Sequence, residues 1–295
     1  MDTDMFGNQV SKDPLLRDKW VEPPFSFIDT RSGHYKGRKK MWSIRLGGLG
    51  DEIRCVSGRN NFKGIKKLAA KNTKNIDGYL NNSVSIFDPA LCELMYKWFA
   101  PASGHILDPF CGGSVRGIVA NYLGYEYTGI DIRQEQIDSN REQALKICPI
   151  TNQPQYYVGD SNEVLNGFNQ QFDFIFSCPP YSNLEVYSNI EGDISNMSYD
   201  KFLTSYNSII NKSCKLLKSG AMAVFVVGEV RDNKGNYKNF VSDTISSFLN
   251  AGMAYYNEII YLNGLAGAFL TAGRQMDISK KIKKVHQNVL VFKKP

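Results

Sequence analysis

No apolar run in this chain approaches the roughly 18 residues that a bilayer span needs. The longest strand-like run is AMAVFVV, Ala221 to Val227, so a membrane-embedded protein is not expected. Histidine is scarce, represented by His34, His105 and His286 alone. The cysteines, Cys55, Cys92, Cys111, Cys148, Cys178 and Cys214, form no C-x-x-C pair. Without clustered thiols or imidazoles, the usual ligand spacings of a zinc site are missing. A chain of 295 residues, 42% of them apolar, buries a sizeable core without disulfide staples. Reduced thiols and an intracellular protein are the expectation. The opening MDTDMFGNQV is acidic and polar, unlike a secretory signal. No internal repeat or low-complexity tract is visible.

What is present is an uneven charge. The net +6 is composed of +7 over residues 1–80, −7 over 81–270 and +6 over 271–295. An acidic middle flanked by two basic ends fits either solvated surface lysines or a polyanionic partner.

Residues 1–82 read as an irregular basic extension with a possible nucleic-acid contact. Short helices are expected around Tyr35–Ile44 and Lys63–Ala70. The glycines of IRLGGLGDE, residues 44–52, lack the strand-turn-helix context of a phosphate loop. From residue 83 the pattern becomes regular. Asp88 can cap a helix with Pro89 at its first position, over Pro89–Phe99. HILDPF, YEYTGID, QYYVGD and FDFIFS read as strands, with helices over Ser114–Leu123 and Gln134–Lys146 between the first three. A long amphipathic helix over Tyr199–Leu217 precedes the strand Ala221–Val227. A helix over Asn239–Asn250, a strand over Met253–Leu262 and a final strand HQNVLVFKK follow. Strands alternating with helices imply parallel crossovers and a sheet covered on both faces. The last two strands have no helical pattern between them, so an antiparallel pair joined by a long loop, Asn263–Val285, is expected. The fold class is α/β and Rossmann-like, with about seven strands.

Three strand ends carry chemistry. LDPFCGGSVRG, residues 107–117, runs from a strand through glycines into a helix, where backbone approaches a ligand closely and a helix N-terminus favours negative charge. Asp131, ending the next strand, is placed as a ribose-hydroxyl acceptor, or as the cap of the following helix. Asp160 and Ser161 end the third strand, where the acid can accept from an adenine amino group or cap a helix. The fourth strand ends in Cys178-Pro179-Pro180-Tyr181. Proline cannot donate to a ladder, so the strand stops at Ser177 and a stiff loop begins at its carboxyl end. In open α/β sheets that edge is where ligands bind.

Together these stretches resemble the amino-methyltransferases that move a methyl group from S-adenosylmethionine to an exocyclic amine of a nucleic-acid base. Their first motif, Asp-Pro-Phe-x-Gly-x-Gly, is similar to residues 108–114, with Ser114 in place of the last glycine. Their catalytic motif is Asp, Asn or Ser, then Pro-Pro, then an aromatic residue; here Cys178 stands first. The stretch SIFDPALCELMYKWF resembles the motif that precedes the first. The resemblance covers residues 83–293, and the whole chain looks like phage-type orphan DNA methylases. It implies a methyltransferase domain over 83–295, in the cytoplasm of a bacterial or phage-infected cell, within DNA methylation or restriction-modification. It implies S-adenosylmethionine as cofactor, held by Phe87, Asp88, Asp108, Pro109, Phe110, Gly112, Gly113, Asp131, Ile132, Asp160 and Ser161. The catalytic residues it implies are Cys178, Pro179, Pro180 and Tyr181. The Pro179 carbonyl and residue 178 would accept the amine hydrogens while Tyr181 stacks on a base flipped out of DNA. Both adenine N6 and cytosine N4 stay open, because a thiol accepts only weakly. A nucleophilic Cys178 is the other role, although ring-carbon methylation usually has a Pro-Cys order. RNA or nucleotide methylation, and an inactive DNA-masking protein, are the competing functions. Arg274, Lys280, Lys281, Lys283 and Lys284 in residues 263–287 could reach phosphates, with Arg274 or Gln275 reading a base edge. YKGRKKMW, residues 35–42, is a second candidate contact.

Overall fold

The computed structural model describes residue 17 and residues 19–47, 87–181, 192–263 and 268–295. The strands are β1 (Phe27–Asp29), β2 (His105–Asp108), β3 (Glu126–Asp131), β4 (Gln155–Val158), β5 (Phe172–Ser177), β6 (Leu217–Val227), β7 (Ala254–Leu262) and β8 (His286–Lys293). The helices are α1 (Gly33–Arg45), α2 (Pro89–Phe99), α3 (Val115–Tyr122), α4 (Gln134–Ile147), α5 (Ser161–Val164), α6 (Tyr199–Leu216), α7 (Phe240–Asn250) and α8 (Phe269–Ser279).

The strands form one eight-stranded sheet in the order β1-β7-β8-β6-β5-β2-β3-β4. Neighbours pair in parallel except β8, which runs antiparallel to both β6 and β7. This is the expected Rossmann-like architecture with an antiparallel last pair. Period-two alternation sends side chains to two separate cores. Ile106, Phe176, Val224 and Val226 pack on one face with α1, α2, α3 and α4. Leu107, Ile175, Phe225 and Val227 pack on the other with α6 and α7. Strands apolar on both faces read as continuous hydrophobic runs, as FDFIFS and AMAVFVV do.

Two sequence expectations are corrected. The sheet has one strand more than expected, because β1, only three residues long, adds in parallel to the edge strand β7. The segment between β7 and β8 is not a plain loop, since α8 occupies Phe269–Ser279. Its start, Ala268, makes no side-chain cap bond, and its first turn holds no acidic residue. Both start signals on which a sequence reading relies are therefore missing.

The described part of the N-terminal stretch is built onto the sheet. Helix α1 starts at Ser32, whose hydroxyl accepts from the Tyr35 N–H. It lies against α2, where the carboxylate of Glu93, 1% exposed, accepts from Arg38 and from Trp42 Nε1 at 2.7 Å. The helix expected around Lys63–Ala70, most of IRLGGLGDE and the boundary at residue 82 lie outside the described residues. No helix among the described residues is long and apolar enough to cross a membrane.

Candidate active site

The parallel strands β2, β3, β4 and β5 end along one edge of the sheet, and a cavity of about 390 Å³ opens there. That lies within the range of small-molecule and cofactor sites. After β2 the chain turns through Gly112, whose φ of +49° is left-handed and suits glycine. The turn is held from beneath by Asp108, which is fully buried. Its carboxylate accepts from Arg116 Nε at 2.5 Å, Ser177 Oγ at 2.6 Å, Tyr127 Oη at 2.7 Å and the Phe110 N–H at 3.2 Å. Burial opposes the charge of Arg116, yet the adjacent Asp108 carboxylate keeps its pKa above the ordinary arginine value.

Asp131 and Asp160 stand at the ends of β3 and β4, and both line the cavity. One oxygen of each is used locally: Asp131 Oδ1 accepts from the Arg133 N–H at 2.9 Å, and Asp160 Oδ1 from the Asn162 N–H at 2.8 Å. Asp160 is thus also the cap of α5, so the two readings of this acid coexist. Its Oδ2 faces Gly192, where a Cβ would sit 3.5 Å away. Ser161 Oγ donates to the Pro109 carbonyl at 2.6 Å, tying the glycine turn to the end of β4.

Cys178, Pro179, Pro180 and Tyr181 line the same cavity. Two contacts hold Tyr181 among the described residues. Gln287 Nε2 donates to its hydroxyl at 2.9 Å. The Phe240 ring meets it edge-on, with centroids 5.9 Å apart. Both partners come from the antiparallel half of the molecule, β8 and α7.

Of the residues singled out in the sequence, Phe87, Asp88, Pro109, Phe110, Gly112, Asp131, Ile132, Asp160, Ser161 and the four of the Cys-Pro-Pro-Tyr stretch line the cavity. Asp108 and Gly113 do not. Asp108 braces the turn from behind. Sequence reasoning missed Lys39, Arg116, Asp193 and Gln287, which also line it. Arg116 did leave a signal, as the sole charged residue in the otherwise uncharged helix VRGIVANY. Among the described residues, no group of three His, Cys, Asp or Glu is placed to hold a metal ion.

No protein-family model matches the sequence, and no curated protein matches it either. Solved structures do match. The crystal structure of TrmN from Thermus thermophilus shares 16% identity over 73% of this chain and 51% of that one, with a TM-score of 0.47. The chain therefore spans about half the length of TrmN. A TehB-like SAM-dependent methyltransferase from Corynebacterium glutamicum shares 17% identity over 79% of this chain and 99% of that one, with a TM-score of 0.43. Magnesium protoporphyrin IX methyltransferase from Synechocystis, solved with bound SAM, shares 11% over 96% of each chain, with a TM-score of 0.44. Likeness at this distance carries no activity over to the present chain.

Proposed function

We propose that this protein transfers a methyl group from S-adenosylmethionine to an exocyclic amine of a DNA base, adenine N6 or cytosine N4. The observation that supports this best is that Asp131, Asp160 and the Cys178–Tyr181 loop line one cavity. The cavity fits the cofactor. Its carboxylates, Asp88, Asp131, Asp160 and Asp193, suit a ligand with a sulfonium, an ammonium and ribose hydroxyls. Gly112 and Gly159, both at positive φ, bring bare backbone to its wall. Asp131 would take the ribose hydroxyls and Asp160 the adenine amino group.

When bound, the cofactor supplies an electrophilic methyl group. The rest of the work falls to the chain. An aromatic amine is a poor nucleophile because its lone pair is delocalised into the ring. Acceptors on its hydrogens, the Pro179 carbonyl and residue 178, favour a pyramidal nitrogen. Proline locks φ at positions 179 and 180, so the loop is set before the base arrives. Tyr181, held by Gln287 and Phe240, offers its ring for stacking. The base has to leave a duplex to reach this depth.

The test is incubation with a labelled methyl donor and mixed-sequence DNA, RNA or free nucleosides, followed by nucleoside mass spectrometry. N6-methyladenine or N4-methylcytosine in DNA is the expected product. Label in RNA or in free nucleosides alone would replace DNA as substrate. No transfer to any of them, with the donor still bound, would favour a DNA-masking protein.

A further inference from the structure

The charges lining the cavity are not mixed at random. Over β3 and β4 they are Asp131, Asp160 and Asp193, accompanied by Arg133. On the other side of β2, where α2 begins, stand two cations. Phe87 there packs on Phe176 of β5, and Asp88 accepts from Tyr261 Oη of β7 at 2.8 Å. The guanidinium of Arg116 lies 4.5 Å over the Phe87 ring. Lys39, reaching in from α1, donates from Nζ to Asp88 Oδ2 at 2.9 Å. Arg116 and Lys39 both line the cavity.

Neither cation has spent its donors. An arginine has five N–H groups and a lysine ammonium three. Arg116 uses Nε on Asp108 and Nη2 on the carbonyls of Phe110 and Cys111, at 2.7 and 2.8 Å. Its Nη1 has no hydrogen-bond partner among the described residues, although the side chain is only 4% exposed. A guanidinium clamped on two of its nitrogens and open on the third is preorganised for an incoming oxygen. Among the described residues Lys39 Nζ holds one partner, Asp88, whose other contacts already satisfy it: Tyr261 on Oδ2 and the Ala90 N–H on Oδ1 at 3.0 Å.

We infer that Arg116 and Lys39 form an anion subsite that takes the α-carboxylate at the methionine end of the cofactor. This rests on the cofactor reading proposed above and extends it to residues which that reading did not use. One carboxylate oxygen meets Arg116 Nη1 and the other meets Lys39 Nζ. The ribose and adenine then run toward Asp131 and Asp160, so that the polarity of the cavity fixes the direction of the ligand. The N-terminal helix α1 thereby becomes part of the cofactor site.

Calorimetry with two ligands tests this. S-adenosylhomocysteine carries the carboxylate, and 5′-methylthioadenosine lacks the whole amino-acid end. Lys39→Met removes a largely exposed ammonium. Arg116→Lys keeps a cation against buried Asp108 but has no group at the position of Nη1. In each variant, affinity for S-adenosylhomocysteine should fall about tenfold or more, as expected for a charge-assisted bond. Affinity for 5′-methylthioadenosine should stay unchanged in Lys39→Met; in Arg116→Lys, where the brace on Asp108 also changes, it should fall much less than affinity for S-adenosylhomocysteine. Lys39→Arg should restore most of the loss. Equal losses for both ligands, or no loss for either, would overturn the subsite while leaving the cofactor reading in place. If the unaltered protein binds neither ligand, the cofactor reading fails and the subsite fails with it. Thermal unfolding of each variant separates weakened binding from a damaged fold, and the Lys39 arm decides the matter if Arg116→Lys does not fold.

Discussion

Cys178 occupies the position where the resembled enzymes carry aspartate, asparagine or serine. If its part is packing and weak acceptance, Cys178→Ser stays active, since a hydroxyl is nearly isosteric and accepts better. Tyr181→Ala loses far more, because stacking a base on an aromatic ring is worth roughly 1–3 kcal/mol. A nucleophilic cysteine reverses that order, with Cys178→Ser inactive and a covalent adduct trapped by a 5-fluoropyrimidine in DNA. Measuring both variants and looking for the adduct decides between the two chemistries. Asp131→Ala should weaken S-adenosylmethionine by about 1.5–3 kcal/mol, the loss of hydrogen bonds to a charged group. Unchanged affinity by calorimetry would remove Asp131 from the ribose site. At this scale much of the site was legible, because Asp131, Asp160 and the Pro-Pro-Tyr stretch each follow a strand pattern directly. Lys39 and Gln287 were not. They enter the cavity from α1 and β8, which only the fold brings to this edge. Asp108 is a different case. Its place in the sequence suggests a ligand contact, whereas its carboxylate is saturated by Arg116, Ser177 and Tyr127.

Helix α3 shows what the elements around the glycine turn demand. Gly117 lies in its interior, and glycine there costs about 1 kcal/mol relative to alanine. Propensity alone would make Gly117→Ala stabilising. The surroundings say otherwise. A Cβ at Gly117 would press into the Tyr156 hydroxyl and lie 3.0 Å from the Tyr127 ring. Both tyrosines are nearly fully buried, and Tyr127 also holds Asp108. Gly117→Ala should therefore destabilise by about 1–3 kcal/mol, the usual range for overpacking a core. It should also weaken cofactor binding, because Tyr127 braces the turn through Asp108. Chemical denaturation and calorimetry on the same variant check the two effects, and a stabilised variant would show that the ring yields freely. Elements with strong signals were legible almost to the residue, as with α2, which Asp88 caps and Pro89 opens. β1 and α8 were not. A three-residue strand has too little length to alternate, and its pairing is supplied by β7. Helix α8 keeps Phe269 and Ile278 largely exposed, at 76% and 72%, so it lacks the apolar face that marks a helix packed on a core.

Across the whole molecule, charge follows the fold. The acidic middle of the chain supplies the carboxylates of the cavity, Asp88, Asp131, Asp160 and Asp193, while the basic C-terminal stretch reaches it through Gln287. The lysines of the C-terminal stretch are not equivalent. Lys280 and Lys283 are exposed, and Lys281 is half-buried near Gly235. Lys284 donates to Asn288 Oδ1 at 3.0 Å, and burial lowers its pKa. Lys284 therefore serves the fold, which leaves the other three as the candidates for a phosphate contact. If DNA is the partner, binding weakens linearly on a log–log plot against salt, and removing one phosphate-binding cation lowers the slope by roughly 0.9. Changing Lys280, Lys281 and Lys283 together to glutamine should flatten that slope measurably without altering affinity for S-adenosylhomocysteine. Titrations by fluorescence anisotropy at several salt concentrations provide the measurement. A slope equal to that of the unaltered protein would mean that these lysines are merely solvated. Any DNA-binding surface would then lie elsewhere, with Lys36 and Lys40 of α1 next to be tested.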